Sequence, residues 1–210
     1  MNRSVTEGFV STHINRRFSR PIARLLSKTP ITPNQISFLS FVVAIGSLSL
    51  FMTGHNIWAG IAVQTSSILD GVDGDLAHIK NMQSKFGGFF DAILDRYSDF
   101  AILGGFAFWA LRFEAKFDDA IVLSAGLAAI LGSFMISYSR ARAEVSFGKP
   151  FSKNYTFSGL TGSLASRDAR LFIVMFGSIV SQGATTLVFL ATITNLVVVL
   201  RVFAAKKGLG

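Results

Sequence analysis

Residues 33–53 contain no charged side chain. An uncharged, largely apolar run of this length is what a helix needs to cross ~30 Å of hydrocarbon. The rest of the chain is of the same kind. Half of its 210 residues are apolar, 21 are phenylalanine, and the mean hydropathy is +0.50. Six spans can be read, at 33–53, 57–79, 87–111, 119–140, 169–182 and 185–204. The expected fold is an all-α integral membrane protein, with six transmembrane helices preceded by an amphipathic interfacial helix. A soluble helical core is disfavoured, because 210 residues cannot surround so many apolar helices.

Charge placement gives the expected orientation. Six spans put both termini on one side. On that side fall Arg3, Arg16, Arg17, Arg20, Arg24, Lys28, Lys80 and Lys85. Arg140, Arg142, Lys149, Lys153, Arg167, Arg170, Arg201, Lys206 and Lys207 join them. The opposite side holds only Arg112 and Lys116, beside Glu114, Asp118 and Asp119. The positive-inside rule then predicts a multi-pass protein of the cell membrane with both termini cytoplasmic. A net charge of +8 suits an anionic membrane surface or anionic substrates. A nucleic-acid partner is not expected, since the cations follow helix ends rather than forming one patch. The absence of cysteine excludes disulfides and thiol chemistry. The first residues are polar and basic, without the apolar core of a signal peptide.

Residues 1–28 read as an arm and 29–210 as the transmembrane domain. Within the arm, Ile14, Phe18, Ile22, Leu25 and Leu26 recur at helical spacing among arginines. That pattern predicts an amphipathic helix on the cytoplasmic face, kinked at Pro21. Thr32 as a cap and Pro33 in the first turn should start span one. The polar connection over 78–86 should fold spans two and three side by side. The polar stretch over 141–168 reads as a loop or interfacial excursion.

Spans two and three are the ones interrupted by acids. Asp70 and Asp73 stand at i and i+3, and Asp91 and Asp95 at i and i+4, so each pair shares a helix face. The turn between them would bring the four carboxylates together. Four negative charges at membrane depth cannot stand together without a counter-charge. Oxygen-only ligands suit magnesium, manganese or calcium. Convergent carboxylates around one or two such ions point to chemistry on phosphates. Asp75 lies off the Asp70/Asp73 face and reads as plain helix-end polarity. Asp99, one turn past Asp95, reads as support for the cluster or for Arg96 rather than as a ligand.

From Asp70 to Asp95 the chain reads Asp-x2-Asp-Gly-x2-Ala-x9-Gly-x3-Asp-x3-Asp. This resembles the signature of the CDP-alcohol phosphotransferase family. Seven fixed positions match within 26 residues. Thr32-Pro33-Asn34 is similar to the family's start of span one, and residues 137–144 (SYSRARAE) to the segment after span four. The resemblance implies transfer of a phosphoryl-alcohol unit from a CDP-alcohol donor to an acceptor hydroxyl, with release of CMP. It implies that Asp70, Asp73 and Asp91 ligate a pair of divalent ions, Mg2+ or Mn2+, with Ca2+ also able to occupy the site. Asp95 would complete the cluster and act as general base. The cytidine site maps to Gly74, Ala77 and Gly87, with Thr32 and Asn34 nearby. One position departs: the family usually has arginine after the alanine, where this chain has His78. A histidine still donates a hydrogen bond but is mostly neutral at pH 7.

In members whose acceptor is inositol phosphate or glycerol phosphate, cations after span four and around spans five and six hold the acceptor's phosphate. Arg140 matches best, followed by Arg142, Arg167, Arg170 and Arg201. The resemblance further implies a homodimer, expected to pack through spans three and four with Gly104 and Gly105 at the contact. The arm from Gly8 to Pro21 is similar to that of thermophile and archaeal members that make inositol-phosphate diesters. In some of those a soluble nucleotidyltransferase-like domain ends where this chain begins. Two other classes stay open on the residues alone: an aspartate-rich membrane prenyltransferase and a divalent-ion transporter. The first usually carries two distant acidic motifs. The second leaves the glycines and the Thr-Pro-Asn start without a role.

Overall fold

The computed structural model describes residues 10, 14–114, 116–147 and 166–207. Among these residues every regular element is helical. The order is α1 (Arg16–Leu26), α2 (Pro33–Met52), α3 (Asn56–Ile79), α4 (Lys85–Trp109), α5 (Asp119–Phe147), α6 (Arg167–Ile179) and α7 (Gly183–Lys207). A π-helical turn, Ala110–Glu114, extends α4.

Local sequence explains the main boundaries. Pro33 opens α2, and Gln35 Oε1 accepts the Thr32 backbone N–H at 2.8 Å, which satisfies a donor the first turn leaves over. Lys80 Nζ donates to the Thr29 and Ile31 carbonyls at 2.6 and 2.7 Å, so the end of α3 fixes the link between α1 and α2. Asn81 takes a positive φ of 54° where α3 turns toward α4, a conformation asparagine tolerates better than most residues. Ser84 then caps α4 by accepting from the Gly87 N–H at 2.9 Å. The expected loop over 141–168 begins differently, since α5 stays helical through Phe147. Lys149 and Lys153 lie outside the described residues, as do arm residues 1–9 and 11–13.

Three helices are long and apolar enough to cross a membrane: α2, α5 and α7. Their outer faces keep large apolar side chains exposed, including Phe38 and Val42 on α2, Leu127 and Leu131 on α5, and Leu196 and Val199 on α7. Such continuous greasy faces belong in lipid. The chain is a multi-pass membrane protein. Two of the other expected spans, α3 and α4, carry the acids. The last, α6, has 13 residues, and at 1.5 Å per residue it is about 20 Å long, short of the ~30 Å hydrocarbon layer.

Helix α2 packs on α3 and α4, α5 packs on α7 and α4, and α6 lies against α3. One large apolar cluster joins them, with Phe51, Val63, Phe106, Trp109, Val122, Val174 and Leu187 at its centre. The rings of Phe51 and Phe106 stand 5.4 Å apart. Small residues permit the close crossings: a Cβ on Gly60 would lie 2.8 Å from Ser178 Cβ, where α3 meets α6. Gly105, expected at a dimer contact, faces Leu48 and Phe51 of α2 in the same chain. Gly104 has open space beside it.

Helix α1 is amphipathic, as the arm predicts. Ala23 is buried with Ile36, Val72 and Leu76 in a second cluster, while Phe18 and Leu25 stay exposed. Pro21 sits inside the helix without ending it.

Candidate active site

Three of the four carboxylates converge as their spacing predicts. Asp70 on α3 and Asp91 and Asp95 on α4 each offer an oxygen, and these atoms lie within 4.8 Å of one another. Asp73, one turn along α3 from Asp70, lies outside that group. It is buried, and its Oδ2 accepts the hydroxyl of Ser37 from α2. A set of hard carboxylate oxygens at this separation fits a magnesium- or manganese-type ion.

Arg167, at the start of α6, points into this cluster. Its Nη1 lies 2.9 Å from Asp70 Oδ1 and 3.0 Å from Asp95 Oδ1, and its Nε lies 3.1 Å from Asp99 Oδ1. The sequence reading groups Arg167 with the acceptor cations, but its guanidinium is directed at the carboxylates. Arg96 Nη2 adds a second cation 3.3 Å from Asp95 Oδ2.

Asp75 does more than polarise a helix end. It pairs with Arg16, and Ser19 Oγ donates to its Oδ2 at 2.7 Å, so it pins α1 to α3. A polar chain runs one helical turn above Asp70. Gln64 Nε2 donates to Asn15 Oδ1 at 2.8 Å, Asn15 Nδ2 donates to Ser67 Oγ at 2.9 Å, and Ser67 Oγ donates to Asp168 Oδ1 at 3.2 Å. The arm, α3 and the start of α6 are thereby held in one arrangement behind the carboxylates.

On the side predicted for the nucleotide, Asn34 and Gly87 are brought together. A Cβ on Gly87 would lie 3.2 Å from Asn34 Oδ1 and 3.1 Å from Ser84 Oγ. Gly74 is exposed, with nothing within 4 Å of where its Cβ would be. Ala77 and Thr32 are half-buried, and His78 is exposed near the end of α3. An open groove of about 660 Å³ runs from Asn34 and Gln35 past Phe38, Leu39 and Val42 to Phe86 and Phe90.

The other predicted arginines divide by burial. Arg140 and Arg142 are exposed, and Arg140 Nε lies 3.3 Å from Glu144 Oε1. Arg201 Nη1 donates to the Ile136 carbonyl at 2.6 Å. Arg170 is 4% exposed and held among Ser133 and Asp99. Arg170 and Arg201 both reach α5, at Ser133 and at the Ile136 carbonyl one turn on, and Arg140 follows on the same helix. The sequence offers no sign of Ser37 or Ser133 as site residues. The recurrence of aspartate at 91, 95 and 99 was the available signal for Asp99.

A family model, described as CDP-alcohol phosphatidyltransferase, matches residues 30–203. A bifunctional IPC transferase and DIPP synthase from Rubrobacter xylanophilus is 37% identical over 98% of this chain. A protein of the same name from Thermococcus kodakarensis is 36% identical over 96% of it. The chain spans less than half of these two relatives, 44% and 45% of their lengths. An archaetidylinositol phosphate synthase from Pyrococcus horikoshii is 31% identical, with 93% of this chain and 96% of that protein aligned. The crystal structure of a phosphatidylinositol phosphate synthase from Mycobacterium tuberculosis with CDP-DAG bound superposes with a TM-score of 0.73. It shares 28% identity and covers 90% of this chain and 94% of that one. The same enzyme has been crystallised in complex with manganese and citrate, again with a TM-score of 0.73, covering 89% of this chain and 88% of that one.

Proposed function

The chain belongs to the CDP-alcohol phosphatidyltransferase family, and we propose that it moves a phosphoryl-alcohol unit from a CDP-alcohol to the hydroxyl of a phosphorylated acceptor, inositol phosphate first among them, releasing CMP. The observation that carries this reading is the convergence of Asp70, Asp91 and Asp95 within 4.8 Å, with Arg167 joining Asp70 and Asp95 to Asp99, which Arg170 also faces. Neither a prenyltransferase nor an ion transporter accounts for that combination, and the family match sets both aside.

Asp70, Asp73, Asp91 and Asp95 are the residues that would hold two divalent ions, Mg2+ or Mn2+. Ions bound there would neutralise charge on the diphosphate and on the departing CMP. The protein's own part is positioning and proton transfer. Asp95 accepts the proton of the acceptor hydroxyl as its oxygen bonds to the donor's alcohol-bearing phosphorus and the bond to CMP breaks. Asn34, Gly74, Ala77 and Gly87, with Thr32 and His78 at the margin, cradle the nucleotide. Gly74 leaves room for it, and Gly87, without a Cβ, lets Asn34 and Ser84 close in beside the backbone. Arg170 and Arg201, with Arg140 and Arg142 at the mouth, bind the acceptor's phosphate, for which the planar guanidinium is suited. The names of the inositol-phosphate synthases among the relatives support this choice of acceptor.

The membrane arrangement we propose has six spans, with α3, α4 and the short α6 completing the bundle that α2, α5 and α7 begin. Both termini face the cytoplasm and α1 lies on that surface, which puts the carboxylates within reach of a soluble acceptor. A homodimer is proposed with it.

The test is purified protein in lipid nanodiscs, incubated with a panel of lipid and soluble CDP-alcohols and with inositol phosphate, glycerol phosphate and unphosphorylated inositol. CMP release should require one CDP-alcohol and a phosphorylated acceptor. Equal release with unphosphorylated inositol would refute the acceptor assignment.

A further inference from the structure

Asp91, Asp95 and Asp99 follow one another at four-residue spacing on α4, yet the third is engaged differently. Its side chain is 3% exposed and surrounded by donors. Oδ1 accepts from Arg167 Nε at 3.1 Å, and Oδ2 accepts from Ser133 Oγ at 2.7 Å and faces Arg170 Nη2 at 3.4 Å. Arg170 Nη1 also donates to Ser133. One buried carboxylate thus stands between two guanidinium groups from the first turn of α6, and Ser133 of α5 closes the ring. Were Asp99 a metal ligand, two buried arginines would lose their shared counter-charge, which is strongly unfavourable.

The two arginines face different work. Arg167 reaches the carboxylates, 2.9 Å from Asp70 and 3.0 Å from Asp95. Arg170 reaches α5 at Ser133, one turn before the Ile136 carbonyl that accepts from Arg201. Its buried Nε has no hydrogen-bond partner among the described residues. A buried charged donor left over in this way is suited to an anion that arrives.

We propose that Asp99 is a positioning residue: it keeps Arg170 aligned for the acceptor's phosphate, while its other oxygen holds Arg167 in the place from which Arg167 pairs with Asp70 and Asp95. This rests on the reading of a phosphorylated acceptor given above. The alternative is that Asp99 contributes only its charge, and the two predict opposite signs on one side. Loss of a negative charge weakens cation binding either way. By charge alone, it should tighten binding of an anion nearby. By positioning, it should weaken that binding.

The experiment measures binding, not turnover, on the full chain in nanodiscs. Mn2+ is followed by electron paramagnetic resonance and inositol phosphate by calorimetry, for wild type, Asp99→Asn and Ser133→Ala. Asp99→Asn should weaken Mn2+ and inositol phosphate by about tenfold each, the usual scale for one charge-assisted hydrogen bond. Ser133→Ala changes no charge. It should weaken inositol phosphate severalfold and leave Mn2+ unchanged. Inositol phosphate bound equally or more tightly by Asp99→Asn overturns the proposal. If Asp99→Asn does not fold, Ser133→Ala decides, and an unchanged inositol phosphate affinity overturns it. Wild-type protein that binds no phosphorylated acceptor refutes the acceptor reading instead. Inorganic phosphate is then the probe, and an affinity for it in Asp99→Asn equal to or tighter than that of wild type overturns the proposal.

Discussion

Ser37 on α2 donates its hydroxyl to Oδ2 of Asp73 on α3, and both residues are buried. The bond ties the helix that carries the Thr32-Pro33-Asn34 start to the helix that carries half of the carboxylates. It fixes which Asp73 oxygen remains available to an ion. Ser37→Ala should therefore leave the fold intact and weaken Mn2+ binding by about tenfold, in line with ~1–2 kcal/mol for a hydrogen bond to a charged group. Titration of Mn2+ against the variant checks this; an affinity equal to wild type would mean that Asp73 needs no such support.

Asp95→Asn keeps the size of the side chain but cannot take a proton. Turnover should fall by ~10²–10⁴ in kcat, the usual worth of acid–base catalysis. CDP-alcohol binding should persist, because Asp70, Asp73 and Asp91 remain. Normal turnover at saturating metal would assign the proton to another group.

Gly87→Ala separates helix propensity from the site. Alanine in a helix is favoured by ~1 kcal/mol over glycine, so thermal stability should hold or rise. Its Cβ would stand 3.1 Å from Ser84 Oγ and 3.2 Å from Asn34 Oδ1, at the place we assign to the nucleotide. The KM for the CDP-alcohol should rise severalfold. Steady-state kinetics alongside a melting curve would reveal it, and an unchanged KM would remove Gly87 from the nucleotide site.

Asp75→Asn tests the docking of α1. The carboxylate is 13% exposed and Arg16 is 27% exposed, so the pair is partly screened. A loss of about 1 kcal/mol is expected. It should appear as a lower Tm and faster proteolysis at α1, with Mn2+ affinity unchanged. Equal proteolysis of wild type and variant would show that the Asn15 hydrogen bonds and the packing of Ala23 hold the arm without this pair.

The helices and the carboxylate cluster were legible in the sequence because their signals are local. Apolar runs set α2, α5 and α7, and the i,i+3 and i,i+4 spacings put each acid pair on one face. The family signature spans one helix pair for the same reason. What could not be read is the support between helices. Ser37 is 36 residues from Asp73, and Ser133 is 34 from Asp99. Serines are common in such helices, and nothing local marks these two. Arg167 shows the same limit. Its position after a polar stretch fits the positive-inside pattern, but the facing of the first turn of α6 decides that it meets Asp70 and Asp95. Gly105 was read as a dimer contact because a small residue marks a close crossing without naming the helix it crosses, which here is α2.

The carboxylate-held metal centre stands or falls on metal-dependent CMP release by the purified protein in lipid. With a CDP-alcohol and inositol phosphate present, excess chelator should abolish release and Mn2+ or Mg2+ should restore it. Asp70→Asn should respond to neither ion at concentrations that saturate wild type. Full release of CMP in excess chelator, or an Asp70→Asn enzyme with wild-type metal response, would contradict a carboxylate-held metal centre at Asp70, Asp73, Asp91 and Asp95.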